Sequence, residues 1–446
     1  MATLCKRLFT EYGMVLVLLL LGVFFSVATI SEQSPVGEVA AKGVATEIAA
    51  LPGDSLRIFI AVGNEPDDAV FASSLEQELK GSGRTVVAVS KGEPKDARET
   101  LVKINAAGEK LDLIACTPTA GAWLVFADLK TDFPGFGSPR MVMPKSYRWP
   151  NFLKADNLLN IANQIAVIAI MAIGMTMVIL TGGIDLSVGS LLALSAVIAT
   201  GFIRDFAGGE SAGPGGMILA CFAAIGICGV VGAFSGLMIT RFGIPPFIVT
   251  LAVMLVGSGM AYTLAEGQSI YQLPDSFTRL GRGADIVSLP NAVVVMLLLY
   301  VLAQVLMTRM IAGRYLYAVG GNRLAARLSG VPVERVLMFA YIMSALLAGL
   351  GGVIMASQLK SGSATYGNMY ELYVIAAVVV GGTSLSGGQG KMMGTLIGAF
   401  TIAVIQNGMN LTNVESYTQK VVLGAVILGA VLIDKVRQGR KGRAQG

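Results

Sequence analysis

From residue 157 to the C-terminus the sequence is a succession of apolar runs that charge scarcely interrupts. "GMILACFAAIGICGVVGAFSGLMIT" (216–240) holds no charged residue at all. A bilayer crossing needs about 20 mostly apolar residues, so such a run spans a membrane or lies wholly inside a protein. Composition decides between the two. Only 14% of the 446 residues are charged and 54% are hydrophobic, with mean hydropathy +0.69. Ordinary globular chains carry about 25% charged residues. A soluble surface for a chain of this size cannot be built from so few charges. Spans are expected near 158–181, 186–203, 216–240, 246–265, 290–310, 336–357, 371–384, 392–411 and 417–434. "GMVLVLLLLGVFFSVATI" (13–30), after Lys6 and Arg7, adds a tenth. It could be a cleavable signal peptide, but no small-x-small cleavage site follows, so it reads as an uncleaved first span.

Between the first span and the rest the character changes. Glu32 to Asp156 holds 14 Lys and Arg and 17 Asp and Glu, half of all charged residues. "SLRIFIAVG" (55–63), "RTVVAVSKG" (84–92) and "LDLIACTP" (111–118) read as strands. "DDAVFASSLEQELKGSG" (67–83) and "EPKDARETLVKINAAGEK" (93–110) read as helices between them. Strand, helix, strand, helix, strand implies a parallel sheet with right-handed crossovers. The Gly-, Pro- and Ser-containing stretches 31–52 and 131–150 read as tethers. The fold class is thus an α-helical polytopic membrane protein of about ten spans with an inserted βαβαβ domain over 31–150. Residues 1–30 form the N-terminal tail and first span, 151–434 the membrane core and 435–446 a basic tail.

Loop charge sets the orientation, because Lys and Arg concentrate on the cytoplasmic side. The loop 309–335 holds Arg309, Arg314, Arg323, Arg327 and Arg335, and the tail holds Lys435, Arg437, Arg440, Lys441 and Arg443. Loops 266–290 and 358–370 hold only Arg279, Arg282 and Lys360. Both termini are expected in the cytoplasm and 31–150 outside it.

Two stretches repeat each other: "TGGIDLSVGS" (181–190) and "VGGTSLSGGQ" (380–389). Both follow an apolar run and read Gly-Gly, two residues, Leu-Ser. Gly182, Gly183 and Ser187 correspond to Gly381, Gly382 and Ser386, with Asp185 replaced by Ser384. Glycines that break a helix at membrane depth free backbone groups that must find protein or water. Matching Gly-interrupted segments in two halves point to a pathway. These eight residues are the translocation-path candidates. An ionisable group inside a membrane is functional by default, although Asp185 could equally cap the following helix.

The second stretch also contains LSGGQ (385–389), which resembles the signature of ABC-type ATPases. An ATPase needs a P-loop, GxxxxGK[ST], as well. The one Gly-Lys pair, Gly390–Lys391, has Leu385 at the first glycine position and Met392 after the lysine. No catalytic residue is assigned.

"IMAIGMTMVILTGGIDLSVGSLLAL" (170–194), "GRYLYAVGGNRLAARLSGVPV" (313–333) and "AAVVVGGTSLSGGQGKMMGTLIGA" (376–399) resemble the ribose-type membrane permeases of bacterial ABC sugar importers. The resemblance covers about 1–30 and 150–440. It implies a permease subunit in the bacterial inner membrane that forms the path for ribose or a related monosaccharide. It also implies three kinds of partner: an ABC ATPase subunit, a periplasmic sugar-binding protein and a second permease copy or paralogue. The loop 313–333 then resembles the family's ATPase-coupling segment, carried by Gly321, Asn322, Arg323, Ala325, Ala326, Arg327, Ser329 and Gly330. Leu324, Ala325, Leu328 and Val331 fall on one side of it, and Asn322 and Gly330 suit its N- and C-caps. The family joins its first two spans by a short loop. The 31–150 insertion instead resembles one lobe of a periplasmic sugar-binding protein, without securely identifiable sugar ligands. It is read as a docking or stabilising ectodomain, or as a sugar sensor.

Two other readings differ in class. An ion-coupled secondary transporter needs several membrane carboxylates or histidines, and the sequence offers Asp185 and no His. A membrane-anchored sugar sensor or receptor leaves nine spans unexplained. Four cysteines without CxxC spacing give no metal site, no cofactor is implied, and nothing points to nucleic acid.

Overall fold

The structure is a computed structural model. It describes residues 13–52, 56–82, 84–286 and 288–443, with the backbone alone from 433 onward. Cys5, Lys6 and Arg7, and the side chains of the basic tail, lie outside the described residues.

The chain divides into two compact units, 30–150 and the remainder. Helix α1 (Gly13–Ala28) precedes the first of these. In the 30–150 unit, β2 (Arg57–Val62), β3 (Thr85–Lys91), β4 (Leu113–Cys116) and β5 (Arg140–Val142) form a parallel sheet ordered β3-β2-β4-β5. Its central strand reads RIFIAV and is buried from Ile58 to Val62, as a strand covered on both faces must be. Helix α2 (Gly37–Ala49) and α3 (Pro66–Gly81) cover one face through Ala41, Val44, Ile48, Phe71 and Leu75. Helix α4 (Pro94–Ala106) and the aromatics Phe126, Phe133 and Phe136 cover the other. The expected tethers are not tethers. "GEVAAKGVATEIA" spaces Ala40, Ala41, Val44 and Ile48 along one helical face and packs on the sheet. The segment 131–150 supplies β5 and β6 (Tyr147–Pro150), and β6 pairs antiparallel with β1 (Ile30–Gln33) from Ile30↔Pro150 to Gln33↔Tyr147. The unit is closed at its base by its own two ends.

The second unit is helical. It contains α5 (Ala155–Leu180), α6 (Val188–Phe206), α7 (Pro214–Arg241), α8 (Pro246–Leu264), α9 (Asn291–Arg309) and α10 (Ile311–Gly321). After these come α11 (Arg323–Leu328), α12 (Val333–Leu359), α13 (Tyr370–Val380), α14 (Met392–Leu411) and α15 (Ser416–Arg443). Seven described helices are long and apolar enough to cross a membrane; α1, α13 and the 416–432 stretch of α15 are shorter apolar helices. Helix α5 is apolar all round and buried from Ile165 to Leu180, which makes it the axis of the bundle.

Its neighbours approach through small or polar groups, because lipid gives apolar helices no reason to separate from it. Gly174 lies against the Ser344 backbone of α12, and Thr176 hydrogen-bonds Thr395 of α14 at 2.8 Å. Asn157 and Asn407 exchange amide hydrogen bonds at 3.1 and 2.8 Å, so α5 and α14 run antiparallel. Tyr300 of α9 donates to the Ala169 carbonyl at 3.0 Å.

Candidate functional site

Both repeated turns end a helix the same way. At the first, Gly182 N donates to Ile179 O at 2.9 Å and Gly183 N to Val178 O at 3.1 Å. At the second, Gly382 N donates to Val379 O at 2.9 Å and Thr383 N to Val378 O at 3.1 Å. This pair of bonds around a left-handed residue is the Schellman stop, and Gly182 (φ +77°) and Gly382 (φ +88°) occupy that position. The match by letters is therefore one residue out: Gly182, not Gly183, is the structural partner of Gly382. After the stop the roles return to the expected register. Asp185 accepts from Ser187 N, and Ser384 Oγ accepts from Ser386 N, each two residues on. The first turn carries one extra residue between stop and cap.

Past its stop the first turn does not leave the bundle. Gly183 sits between Val178 and Tyr341, and Ile184 O accepts from Thr250 of α8 at 3.3 Å. Asp185 is 2% exposed. Its Oδ1 accepts from Ser187 N (3.0 Å) and Ser187 Oγ (2.6 Å), and its Oδ2 from Ser344 Oγ (2.8 Å). Ser344 is eleven residues into α12, about 16 Å from its start and close to the middle of that 27-residue helix. Non-helical backbone thus climbs from the end of α5 to the middle of the bundle, and α6 starts there. Asp185 pins that start to α12. It faces no cavity.

The same C-terminal end of α5 is a junction of three pieces. The last four carbonyls of a helix lack helical partners. Leu180 O receives Gly388 N of the second turn at 2.8 Å, and Thr181 O receives Arg323 Nη2 of α11 at 3.1 Å. Arg323 also brings its charge to the negative end of the helix dipole. Tyr317 of α10 donates to Gly390 O at 2.8 Å, and Gly320 abuts both Leu180 and Gly388. The LSGGQ stretch is explained here. Its Gly388 amide points at a helix carbonyl, as a donor to protein backbone. Helix α11 is capped by Asn322, whose Oδ1 accepts from Ala325 N at 2.9 Å, and Gly330 (φ +81°) follows its end. Ala326 is buried, while Leu324 (69%) and Leu328 (81%) are bare. Arg327 pairs with Glu334.

One element escapes a sequence reading. Residues 361–369, read as an outer loop, descend into the bundle without helix. Gly362 lies against Thr200 and Gly367 against the Gly189 carbonyl, a descent along eleven residues of α6, about 16 Å. It ends at Glu371, whose carboxylate lies beside Gly189. The string "GSATYGNMYE" is polar enough to read as solvent-facing. Its glycines and its position before a short apolar run are the only signals that it enters.

A helical bundle broken at mid-depth, with a basic elbow clamped to the breaks, defines a transporter-type integral membrane protein. The chain belongs to the family described as branched-chain amino acid transport system / permease component, whose model matches residues 157–431. It is 41% identical over 293 residues to the ribose import permease protein RbsC of Escherichia coli K12, covering 65% of this chain and 88% of that one. It is 44% identical to RbsC of Bacillus subtilis 168 over 288 residues, covering 64% and 87%. The D-allose transport system permease protein AlsC of Escherichia coli K12 is 33% identical over 285 residues, covering 64% and 85%. No solved structure matches the chain.

Proposed function

We propose that the chain is the membrane subunit of a bacterial ABC importer for ribose or a related monosaccharide. In this reading the chain crosses the membrane ten times, with both termini and α10–α11 in the cytoplasm and residues 31–150 outside it, and the arginines of 309–335 support that orientation. A second copy or a paralogue completes the path, a periplasmic binding protein delivers the sugar, and ATP is hydrolysed by a separate subunit. The substrate class rests on the ribose and allose permeases named above.

The observation that carries the coupling role is the α5 junction. Leu324 and Leu328 offer an exposed apolar ridge to a partner, while Arg323 on the same short helix holds the Thr181 carbonyl. A push on α11 therefore reaches the end of α5 and, through Gly388, the second turn. From the first turn it passes along Ile184 and Asp185 to the start of α6 at mid-depth. The eight glycine-turn residues act in this reading as the hinge of the path. The insertion is a docking ectodomain, closed on itself by the β1–β6 ladder.

Replacing 323–330 by a Gly/Ser segment tests the coupling role. The chain should still insert, but ATPase co-purification and sugar uptake should be lost. Survival of both would refute it.

A further inference from the structure

We infer that the cavity between α6, α8 and the 361–369 segment holds the monosaccharide in transit, and that Glu371, Asn368 and Ser258 contact its hydroxyls; this rests on reading the chain as a sugar permease. The cavity measures about 260 Å³, near the lower end of small-molecule sites, roughly 300 Å³. Ser190, Ser258, Thr365, Asn368 and Glu371 line it together with Tyr262.

Depth makes this lining informative. Ser190 packs on Gly257, eleven residues and about 16 Å into α8, so the cavity lies at the level where α6 begins. Non-helical backbone is tolerated at that depth only where protein covers it or an aqueous cavity adjoins it. Along 361–369 both conditions alternate. Ser361 to Ala364 and Gly367 are buried against the bundle, whereas Thr365, Asn368 and Met369 are exposed. Thr365, Asn368 and Glu371 line the space with polar groups, and Met369 adds an apolar one.

The chemistry selects the ligand class. A carboxylate accepts hydroxyl protons, an amide both accepts and donates, and serine and threonine do either, which together match a polyhydroxylated ring. Tyr262 offers an apolar ring with a polar edge to the sugar's C–H groups. A free amino acid fits less well, although the family's description names one. No Lys or Arg lines the cavity to receive its carboxylate, and Glu371 would repel it. Among the described residues no cation neutralises Glu371.

The test uses the whole importer in proteoliposomes with its binding protein and labelled ribose. Glu371→Gln and Asn368→Ala should each lower sugar moved per ATP hydrolysed by about tenfold, the size of one good hydrogen bond lost in transit. A merely structural defect would lower uptake and ATP turnover together and leave their ratio intact. In parallel, Ser258→Cys and Thr365→Cys should react with a charged, membrane-impermeant methanethiosulfonate and be slowed by ribose. Phe222→Cys, exposed on α7, should not react. If the wild type moves ribose while both polar variants keep its sugar-to-ATP ratio, the cavity assignment is overturned and the permease reading stands. The same holds if Thr365→Cys is as inert as Phe222→Cys. If the wild type moves no sugar at all, both readings fall.

Discussion

Changing Gly388 to Ala strikes the α5 junction at one atom. Gly388 has φ +71°, where a side chain costs about 1–2 kcal/mol. The added Cβ would lie 2.9 Å from both Cα and N of Gly321, backbone that cannot swing aside. Relief of that contact must move the second turn away from α10, and the 2.8 Å bond from Gly388 N to Leu180 O goes with it. A net hydrogen bond contributes ~0.5–1.5 kcal/mol, so the junction loses roughly 2–3 kcal/mol. As a coupling energy this is about 30–150-fold. The assay is ATP turnover of the assembled importer with and without sugar-loaded binding protein, at matched insertion. Gly424→Ala, on α15 with open space around it, is the control. Stimulation by the binding protein should collapse in Gly388→Ala and persist in the control. If the two behave alike, the junction does not transmit.

Asp185→Asn turns one of the two accepting oxygens into an NH2 donor, so at least one of the three bonds that pin α6 to α12 must be lost or remade, at ~0.5–1.5 kcal/mol, and uptake per inserted molecule should fall; normal uptake would make Asp185 a bystander. Tyr341→Phe removes a buried hydroxyl without a partner, which should raise the thermal midpoint in detergent; a clear drop would show that the hydroxyl is used. Residues 30–150, expressed alone, should unfold cooperatively, and their single thiol reports it. Burial pushes the Cys116 thiol up to about 12, so it is un-ionised at neutral pH and should resist alkylation until urea unfolds the domain. Joining Gln33 to Tyr147 through Asn-Gly should close the paired β1 and β6 as a hairpin and preserve some sugar uptake. Loss of uptake in a well-inserted deletion would place the domain in the substrate path.

What the sequence discloses is what has a simple period or a single cause. Apolar runs mark α5 and α7 because no charge interrupts 165–180 or 216–240. The strand at 57–62 shows because both its faces are covered, and Asn322 shows as an N-cap because few side chains can make that bond. Helix α2 is hidden by its own composition. Alanines and glycines bury well on a sheet but resemble a linker in a string of letters. The one-residue slip between the two turns is hidden because Gly-Gly offers two equivalent letters, and only the left-handed φ says which one stops the helix. The 361–369 descent is hidden for a deeper reason. Polar residues facing a cavity and polar residues facing bulk water are written alike. Glu371, at the edge of a span, therefore looks in the sequence like an ordinary loop acid.

The most direct measurement is ribose accumulation in proteoliposomes holding this chain, its ATPase subunit and its binding protein. Accumulation should require ATP inside, the binding protein outside and an intact α11, and should be indifferent to collapse of proton and sodium gradients. Uptake that proceeds without ATP and vanishes with an ion gradient would contradict the account.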